Sequence, residues 1–255
     1  MYIDTHCHLS VEDYDDIDLI LKENKEALVN TIIISGCTKD SISEALELSK
    51  KYREVFVTIG FHPSEADIIT DKDLEKLEQE LIGNQKIVGV GEIGLDYHYG
   101  KENIDMQKSL FRKQLRIAEK LKLPVVIHSR DATRDTINIL KEFPCVFGDI
   151  HCFSGSVETA REYISMGYKL GIGGVVTFKN SNLYKVVEDI GLAGILLETD
   201  SPYLTPHPYR GLQNSSKYIP IIAKKIAEIL NISVEEVAKI TTDNAMSLFD
   251  LNKNI

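Results

Sequence analysis

The chain has 255 residues, of which 43% are hydrophobic and 27% charged. This composition argues against a disordered chain, a low-complexity chain and a small disulfide scaffold. Lys and Arg number 29 and Asp and Glu number 39, so the net charge is −10. Such an acidic chain lacks the basic footprint that accompanies tight binding along nucleic acid.

The cysteines and the first residues of the chain indicate its compartment. Cys7, Cys37, Cys145 and Cys152 are widely spaced and form no CxxC pair, which is typical of a reducing environment. The opening segment MYIDTHCHLS has neither the basic nor the apolar region of a signal peptide. The apolar runs are much shorter than the ~20 residues of a membrane span. We therefore expect a cytoplasmic protein with no membrane partner and no obligatory protein partner.

Short apolar runs rich in β-branched residues recur along the chain, as expected for strands buried on both faces of a parallel sheet. The predicted strands are Tyr2 to Thr5, Thr31 to Ser35, Val55 to Ile59, Ile87 to Val90, Val125 to Ile127, Val146 to Ile150, Lys169 to Ile172 and Ile195 to Glu198. Between them lie segments with helical spacing of apolar residues. These are Asp40 to Tyr52, Asp71 to Leu81, Gln107 to Leu121, Ala132 to Leu140, Val157 to Met166 and Leu183 to Ile190. Two further helices are predicted after Ser215, the second beginning at Val234.

Eight strand and helix units in about 250 residues match the arithmetic of a parallel barrel. We therefore predict the α/β class and a single (β/α)8 TIM-type barrel domain over residues 1–255. An open, doubly wound sheet is the competing architecture, because periodicity does not distinguish the two.

Most of the histidines and two acidic residues fall at the carboxyl ends of predicted strands, where such barrels carry their chemistry. They are His6 and His8 after the first strand, His62 after the third, Glu92 after the fourth, His128 after the fifth, His151 after the sixth and Asp200 after the eighth. Histidines with purely structural roles would not be expected to line up in this way.

The HxH spacing of the first strand predicts two imidazoles on one face. Side chains alternate along a strand, so His6 and His8 point to one side and Cys7 to the other. With the later histidines and acids they form a mixed nitrogen and oxygen donor set, which suits divalent metal ions. A buried glutamate at position 92 would be costly unless it were paired or bound to a metal.

Ordered sequence blocks resemble those of the TatD-type metal-dependent deoxyribonucleases, within the larger amidohydrolase-like superfamily. The resemblance covers nearly the whole chain. It rests on the segments IDTHCHLS, IGFHPSEA, GEIGLDYH, QKSLFRKQL, PVVIHSRDA, GDIHCFSGS, LGIGGVVTFKNS, LLETDSPYLTPHPYRG and TTDNAMSLF.

The resemblance implies a centre of two divalent metal ions, with Mg, Mn or Zn as the expected metals. The implied metal ligands are His6, His8, Glu92, His128, His151 and Asp200. Glu92 would bridge the two ions, and Asp200 would also accept a proton from the attacking water. These two acids are therefore the predicted catalytic residues.

The predicted substrate is DNA, contacted over a short stretch or at a strand end. His62 and Arg130 are predicted to donate to a phosphate, Arg210 to form a forked contact with one, and Tyr203 to stack on a base or sugar. The two ions would make the substrate site locally positive. The net charge still argues against long contacts along a duplex, which need many Lys and Arg side chains.

Three other functions remain open from the sequence. One is hydrolysis of a small cyclic amide, lactone or phosphotriester, although such enzymes often have a carboxylated lysine at the fourth strand, where this chain has Glu92. Another is hydrolysis of a different ester, such as one on tRNA. The third is a metal-dependent binding or scaffold protein, which would not require a water-activating acid such as Asp200.

Overall fold

A computed structural model describes residues 1–98, 100 and 102–251. Its eight strands are all parallel, and each pairs with the next along the chain. The strands are β1 (Tyr2–Cys7), β2 (Val29–Gly36), β3 (Val55–Ile59), β4 (Ile87–Asp96), β5 (Val125–Arg130), β6 (Gly148–Ile150), β7 (Lys169–Ile172) and β8 (Ile195–Leu197). The predicted domain boundary of 1–255 includes positions outside the described residues and stays a prediction.

The first and last strands meet and nearly close the sheet. The amide of His8 donates to the carbonyl of Ser201 at 2.7 Å, and the amide of Asp200 donates to the carbonyl of His6 at 3.0 Å. The hydroxyl of Thr199 donates to the Asp4 carboxylate at 2.6 Å beside them. This arrangement confirms the (β/α)8 barrel, and the open doubly wound sheet is wrong.

Helices surround the barrel in the alternating order that parallel strands require. They are α1 (Ile17–Glu26), α2 (Lys39–Lys51), α3 (Asp71–Leu81), α4 (Ile104–Leu121), α5 (Thr133–Leu140), α6 (Val157–Ser165), α7 (Leu183–Ile190), α8 (Ile219–Leu230) and α9 (Val234–Leu248). Helix α1 was not predicted. It begins at the cap Asp16, whose carboxylate accepts from the amide of Leu19, and it buries only Ile17, Leu21 and Asn24.

Six strands differ in their bounds from the prediction, and β3 and β7 match it. β1 ends at Cys7 and β5 at Arg130, so His6 and His128 lie within strands and not after them. β6 begins at Gly148 rather than Val146, which lies in a turn after α5. β4 continues past Val90 to Asp96, so Glu92 lies within the strand and not after it. Glycines permit this extension: a Cβ on Gly94 would lie 2.0 Å from the carbonyl oxygen of His128 on β5.

Two apolar cores support the barrel. The main core lies between the strands and the helices and includes Cys7, as the HxH alternation predicts. A smaller core fills the amino-terminal end of the barrel, where Ala245 of α9 and the following Phe249 and Leu251 pack against inward-facing strand residues. The opposite end of the barrel is thereby left for polar side chains.

In the described part of the chain, no helix is both long enough and apolar enough to cross a bilayer. The four cysteines are all free thiols.

Candidate metal centre

The structure brings all six predicted ligands together at the carboxyl end of the barrel. His6, Glu92 and His151 are buried, and His8, His128 and Asp200 are partly exposed. The rings of His6 and His151 stack with their centroids 4.0 Å apart. Their roles as ligands stay a prediction, but their positions form one cluster.

Glu92 lies at the middle of this cluster, and its two oxygens face different histidines. Oε1 lies 2.7 Å from Nδ1 of His128 and 2.8 Å from Nε2 of His151. Oε2 lies 3.6 Å from Nε2 of His6 and 3.8 Å from Nε2 of His8. One carboxylate thus separates two pairs of imidazole nitrogens.

Asp200 approaches the same cluster from the segment after β8. Its Oδ1 lies 3.7 Å from Nε2 of His6 and 3.6 Å from Nε2 of His8. The backbone of Asp200 is left-handed, with φ of 52°. This conformation costs of order 1–3 kcal/mol for a residue with a Cβ, and such strain is concentrated at functional sites.

The donor atoms fit divalent ions. Three overlapping groups each bring three ligand atoms within 4.8 Å of one another: His6, His8 and Glu92; Glu92, His128 and His151; His6, His151 and Asp200. Imidazole nitrogens and carboxylate oxygens suit Mn and Zn, and carboxylates suit Mg. Glu92 belongs to two of these groups.

Protons and metal ions compete for this centre. Burial lowers the pKa of His128, but hydrogen bonds to Asp96 and Glu92 outweigh it and raise the pKa to about 9. For His8 burial again acts downward, while Asp200 and Glu92 raise its pKa to about 8. Burial raises the pKa of Glu92, yet His151 and His128 bring it well below its ordinary value. Without metal, the protonated rings of His128 and His8 therefore lie beside ionised carboxylates at the positions where an ion would bind.

His62 lies next to the cluster, and the hydrogen bond to one ring nitrogen determines which nitrogen carries the proton. Its Nδ1 accepts from the amide of Ser64 at 3.1 Å, so the proton of the neutral ring is on Nε2. Burial lowers the pKa of His62 to about 4, which keeps the ring neutral. Nε2 lies 3.8 Å from Oε1 of Glu92. His62 is therefore a hydrogen-bond donor that faces the centre.

The other predicted substrate residues lie on the rim. Arg130 is exposed at the end of β5, two residues beyond His128. Tyr203 is 61% exposed in the segment after Asp200. The guanidinium of Arg210 lies 4.1 Å from the ring centroid of Phe178, a cation–π contact that fixes its position.

Comparisons with known proteins agree with this arrangement. The sequence profile of the family described as TatD related DNase matches residues 3–250. The chain belongs to the TatD family. The uncharacterized metal-dependent hydrolase YabD of Bacillus subtilis is 43% identical over 256 residues, which cover 99% of this chain and 100% of YabD. The uncharacterized metal-dependent hydrolase YcfH of Escherichia coli K12 is 33% identical, over 98% of this chain and 96% of YcfH.

Solved structures extend the comparison. The crystal structure of YjjV, a TatD homologue from Escherichia coli K12, has a TM-score of 0.90 at 30% identity and covers 98% of both chains. The organophosphorus hydrolase from Deinococcus radiodurans has a TM-score of 0.67 at 12% identity, covers 97% of this chain and 92% of that chain, and shares the fold alone. The family prediction is confirmed, and the chain is a metal-dependent hydrolase of the TatD family.

Sequence reasoning missed a layer of buried polar residues behind the centre of this TatD chain. Asp96, at the end of β4, accepts from Nε2 of His128 at 3.0 Å. Gln107 and Gln114, seven residues apart on α4, are both buried and bind the main chain of Asp96 and Phe61. Glutamines at this spacing on an apolar helix face are the signal that could have revealed them.

Two buried acids beneath the TatD centre were also missed. Glu198 accepts from the amide of Cys152 at 2.6 Å, and Gly171 leaves room for it, since a Cβ there would lie 2.1 Å from Oε2. Burial and the charge of Asp149 raise the pKa of Glu198 well above its ordinary value. Burial likewise raises the pKa of Asp149 well above normal.

Proposed function

We propose that the chain is a cytoplasmic deoxyribonuclease that hydrolyses phosphodiester bonds at a strand end or over a short stretch of DNA, with two divalent ions. The observation that carries the proposal is the placement of Glu92 between two pairs of histidines, at 2.7 and 2.8 Å on one side and 3.6 and 3.8 Å on the other. Glu92 and these histidines would hold the ions, which would supply the Lewis acidity that hydrolysis of a phosphodiester needs.

The catalytic roles follow from charge and position. Divalent ions supply Lewis acidity, which polarises the phosphate and makes a water molecule more acidic. Asp200 accepts the proton of the attacking water. Burial acts to raise its pKa, but the hydrogen bond with His8 and the nearby histidines bring it below the ordinary value. Asp200 is thus a carboxylate at neutral pH, which is the form that can take up a proton.

His62 and the rim residues bind the substrate. The proton on Nε2 of His62 faces the centre and is available to a phosphate oxygen. Arg210, held on Phe178, offers a planar fork for a second phosphate, and Arg130 offers another beyond β5. The exposed ring of Tyr203 is a stacking surface for a base. With a net charge of −10, the chain is suited to few phosphate contacts and rapid release.

The test is hydrolysis by the metal-free protein reconstituted with Mg2+, Mn2+ or Zn2+. Single-stranded, double-stranded and abasic DNA are the main substrates. We expect DNA cleavage, and we expect Glu92→Gln to lower it by about 10²–10³-fold or more, because an amide does not bridge cations. Glu26→Gln changes an exposed acid on α1, whose side chain is 67% exposed, and should keep the wild-type rate.

Competing substrates decide between this proposal and its alternatives. The panel includes RNA, an aminoacyl-tRNA, a lactone, a dihydropyrimidine and a phosphotriester. Cleavage of only the non-phosphodiester compounds, lost in Glu92→Gln, would contradict the nuclease proposal and support a small-molecule or tRNA esterase. Full activity of Glu92→Gln on DNA would contradict the role of the bridging carboxylate.

A further inference from the structure

Asp96 is a buried carboxylate whose side chain, among the described residues, forms hydrogen bonds with His128 of the centre and with the amide of His98. It is 8% exposed. Its Oδ2 accepts from Nε2 of His128 at 3.0 Å, and its Oδ1 accepts from the amide of His98 at 2.8 Å. With Nε2 committed as the donor, the other ring nitrogen of His128 faces Oε1 of Glu92 at 2.7 Å. The bond to Asp96 therefore selects Nδ1 as the nitrogen available to a metal ion.

The side chain of Gln107 fixes the main chain of Asp96 by two hydrogen bonds. The side-chain carbonyl of Gln107 accepts from the amide of Asp96 at 2.9 Å, and its amide donates to the carbonyl of Asp96 at 2.8 Å. The same amide donates to Asn103 at 2.9 Å, and Gln107 is 4% exposed. The strand end is thus fixed to α4 by a pair of bonds in a dry environment, where hydrogen bonds are strong and costly to lose.

His8 and His128, two partly exposed histidines of the centre, lie against different hydrogen-bond acceptors. Nδ1 of His8 lies 3.2 Å from the main-chain carbonyl of Ser35, a neutral acceptor. His128 instead donates to a charged carboxylate, which makes its ring the more basic ligand. Loss of Asp96 should therefore affect the ion held through His128 and leave the ion held through His8 nearly unchanged.

A different role for Asp96 would be direct coordination. Asp96, His62 and His128 bring ligand atoms within 4.8 Å of one another. However, Nε2 of His62 carries its proton, because Nδ1 accepts from Ser64. Nε2 of His128 is likewise engaged at hydrogen-bond distance from Asp96. Two of the three candidate atoms are donors, so this group forms a hydrogen-bonded support and not a third ion site.

We propose that Asp96, fixed by Gln107, is a positioning residue that orients His128 and thereby sets the affinity of the ion held by Glu92, His128 and His151. The proposal rests on the two-ion centre of the proposed function but not on DNA as the substrate. Its test needs no substrate, so a failure of the nuclease proposal would leave the result interpretable.

The experiment titrates the metal-free protein with Co2+ and Zn2+ in competition with a chelator and follows the Co2+ absorption spectrum. Affinities are compared on the high-pH plateau, where protons no longer compete. We expect Asp96→Ala to weaken one ion by about 10–100-fold, with the other changed by less than about twofold. Asp96→Asn should lose less, because its amide oxygen still accepts from His128.

Two variants of α4 provide the matched comparison. Gln107→Met should weaken the same ion as Asp96→Ala, by a smaller factor, because it frees the main chain of Asp96. Gln114→Met removes an equally buried glutamine, which is 0% exposed and binds the main chain of Phe61 at 2.7 and 3.0 Å. It should leave both ion affinities unchanged.

Several results would overturn the proposal. They are equal weakening of both ions or of neither, an Asp96→Asn loss as large as that of Asp96→Ala, or the same metal loss in Gln114→Met as in Gln107→Met. Anomalous scattering from an ion between His62, Asp96 and His128 would make Asp96 a ligand instead. If Asp96→Ala does not fold, Asp96→Asn and Gln107→Met still decide the question.

Discussion

The close approach of β4 to β5 makes Gly94 a sharp test of how the centre is built. Its φ is +146°, and an added Cβ would lie 2.0 Å from the carbonyl oxygen of His128, 2.9 Å from its carbonyl carbon and 3.0 Å from its amide nitrogen. All three atoms belong to the main chain, so no rotamer change relieves the overlap. Gly94→Ala must therefore move His128 by about 1 Å.

The expected cost has two parts. The backbone conformation at Gly94 costs a residue with a Cβ about 1–3 kcal/mol, and the overlap adds about 1–3 kcal/mol. The sum of about 2–6 kcal/mol corresponds to a drop in Tm of roughly 4–24 °C for a protein of this size. A displacement of about 1 Å at a ligand should also lower hydrolysis by about 10²-fold.

The Gly83→Ala variant measures the backbone cost alone, without the steric overlap. Gly83 also has a positive φ, of +82°, but an added Cβ meets nothing within 4 Å. This variant should lose only about 1–2 kcal/mol and keep its metal. Thermal unfolding and the bound-metal content of both variants are measured side by side. If Gly94→Ala matches Gly83→Ala in Tm and in metal content, the reasoning about the β4 and β5 contact is wrong.

Three further predictions follow from the structure. The pKa of His128, raised to about 9, means that a proton must leave this ring before it binds an ion below that pH. The apparent affinity for the Zn2+ held through His128 should therefore rise about tenfold per pH unit from pH 6 to 8. Calorimetry of that binding step in two buffers should count one released proton, and a pH-independent affinity would contradict this. Phe249→Ala, at a residue 2% exposed in the amino-terminal core, should lower the free energy of unfolding in urea by about 3–5 kcal/mol with unchanged metal affinity; a selective loss of metal would be the contrary result. Arg210→Lys removes the guanidinium that stacks on Phe178. It should raise KM for DNA by about fivefold with little change in kcat. A fall in kcat alone would contradict a role of Arg210 in substrate binding.

The repeated strands and helices predicted the α/β class and a barrel, with an open sheet as the alternative, and the strand ends predicted the members of the cluster. The alternation of strand side chains placed Cys7 in the outer core, and its thiol donates to the carbonyl of Ile33 at 3.5 Å. The strand-end rule brought six separated residues together because parallel strands present all their carboxyl ends at one edge. The positions of these residues follow from periodicity and strand direction, which a sequence carries, whereas their roles as metal ligands came from the family resemblance.

The supporting residues could not be predicted in the same way. Asp96 follows a glycine-rich segment that resembles the end of a strand, and its partner His128 is 32 positions away. The glutamines of α4 bind main-chain atoms, which have no side-chain identity to match in the sequence. Helix α1 was missed because its apolar face is narrow and its stability depends on packing against the barrel.

The junction between the first and last strands has a consequence for how the protein matures. His6 and His8 are made first, while Asp200 follows nearly two hundred residues later, and the bond between Thr199 and Asp4 joins positions 195 apart. Contacts of such long separation form late in folding. An ion held by His6 and Asp200 together would require the closed barrel, because the two residues come together only there, and it would therefore stabilise the folded chain over a partly closed one.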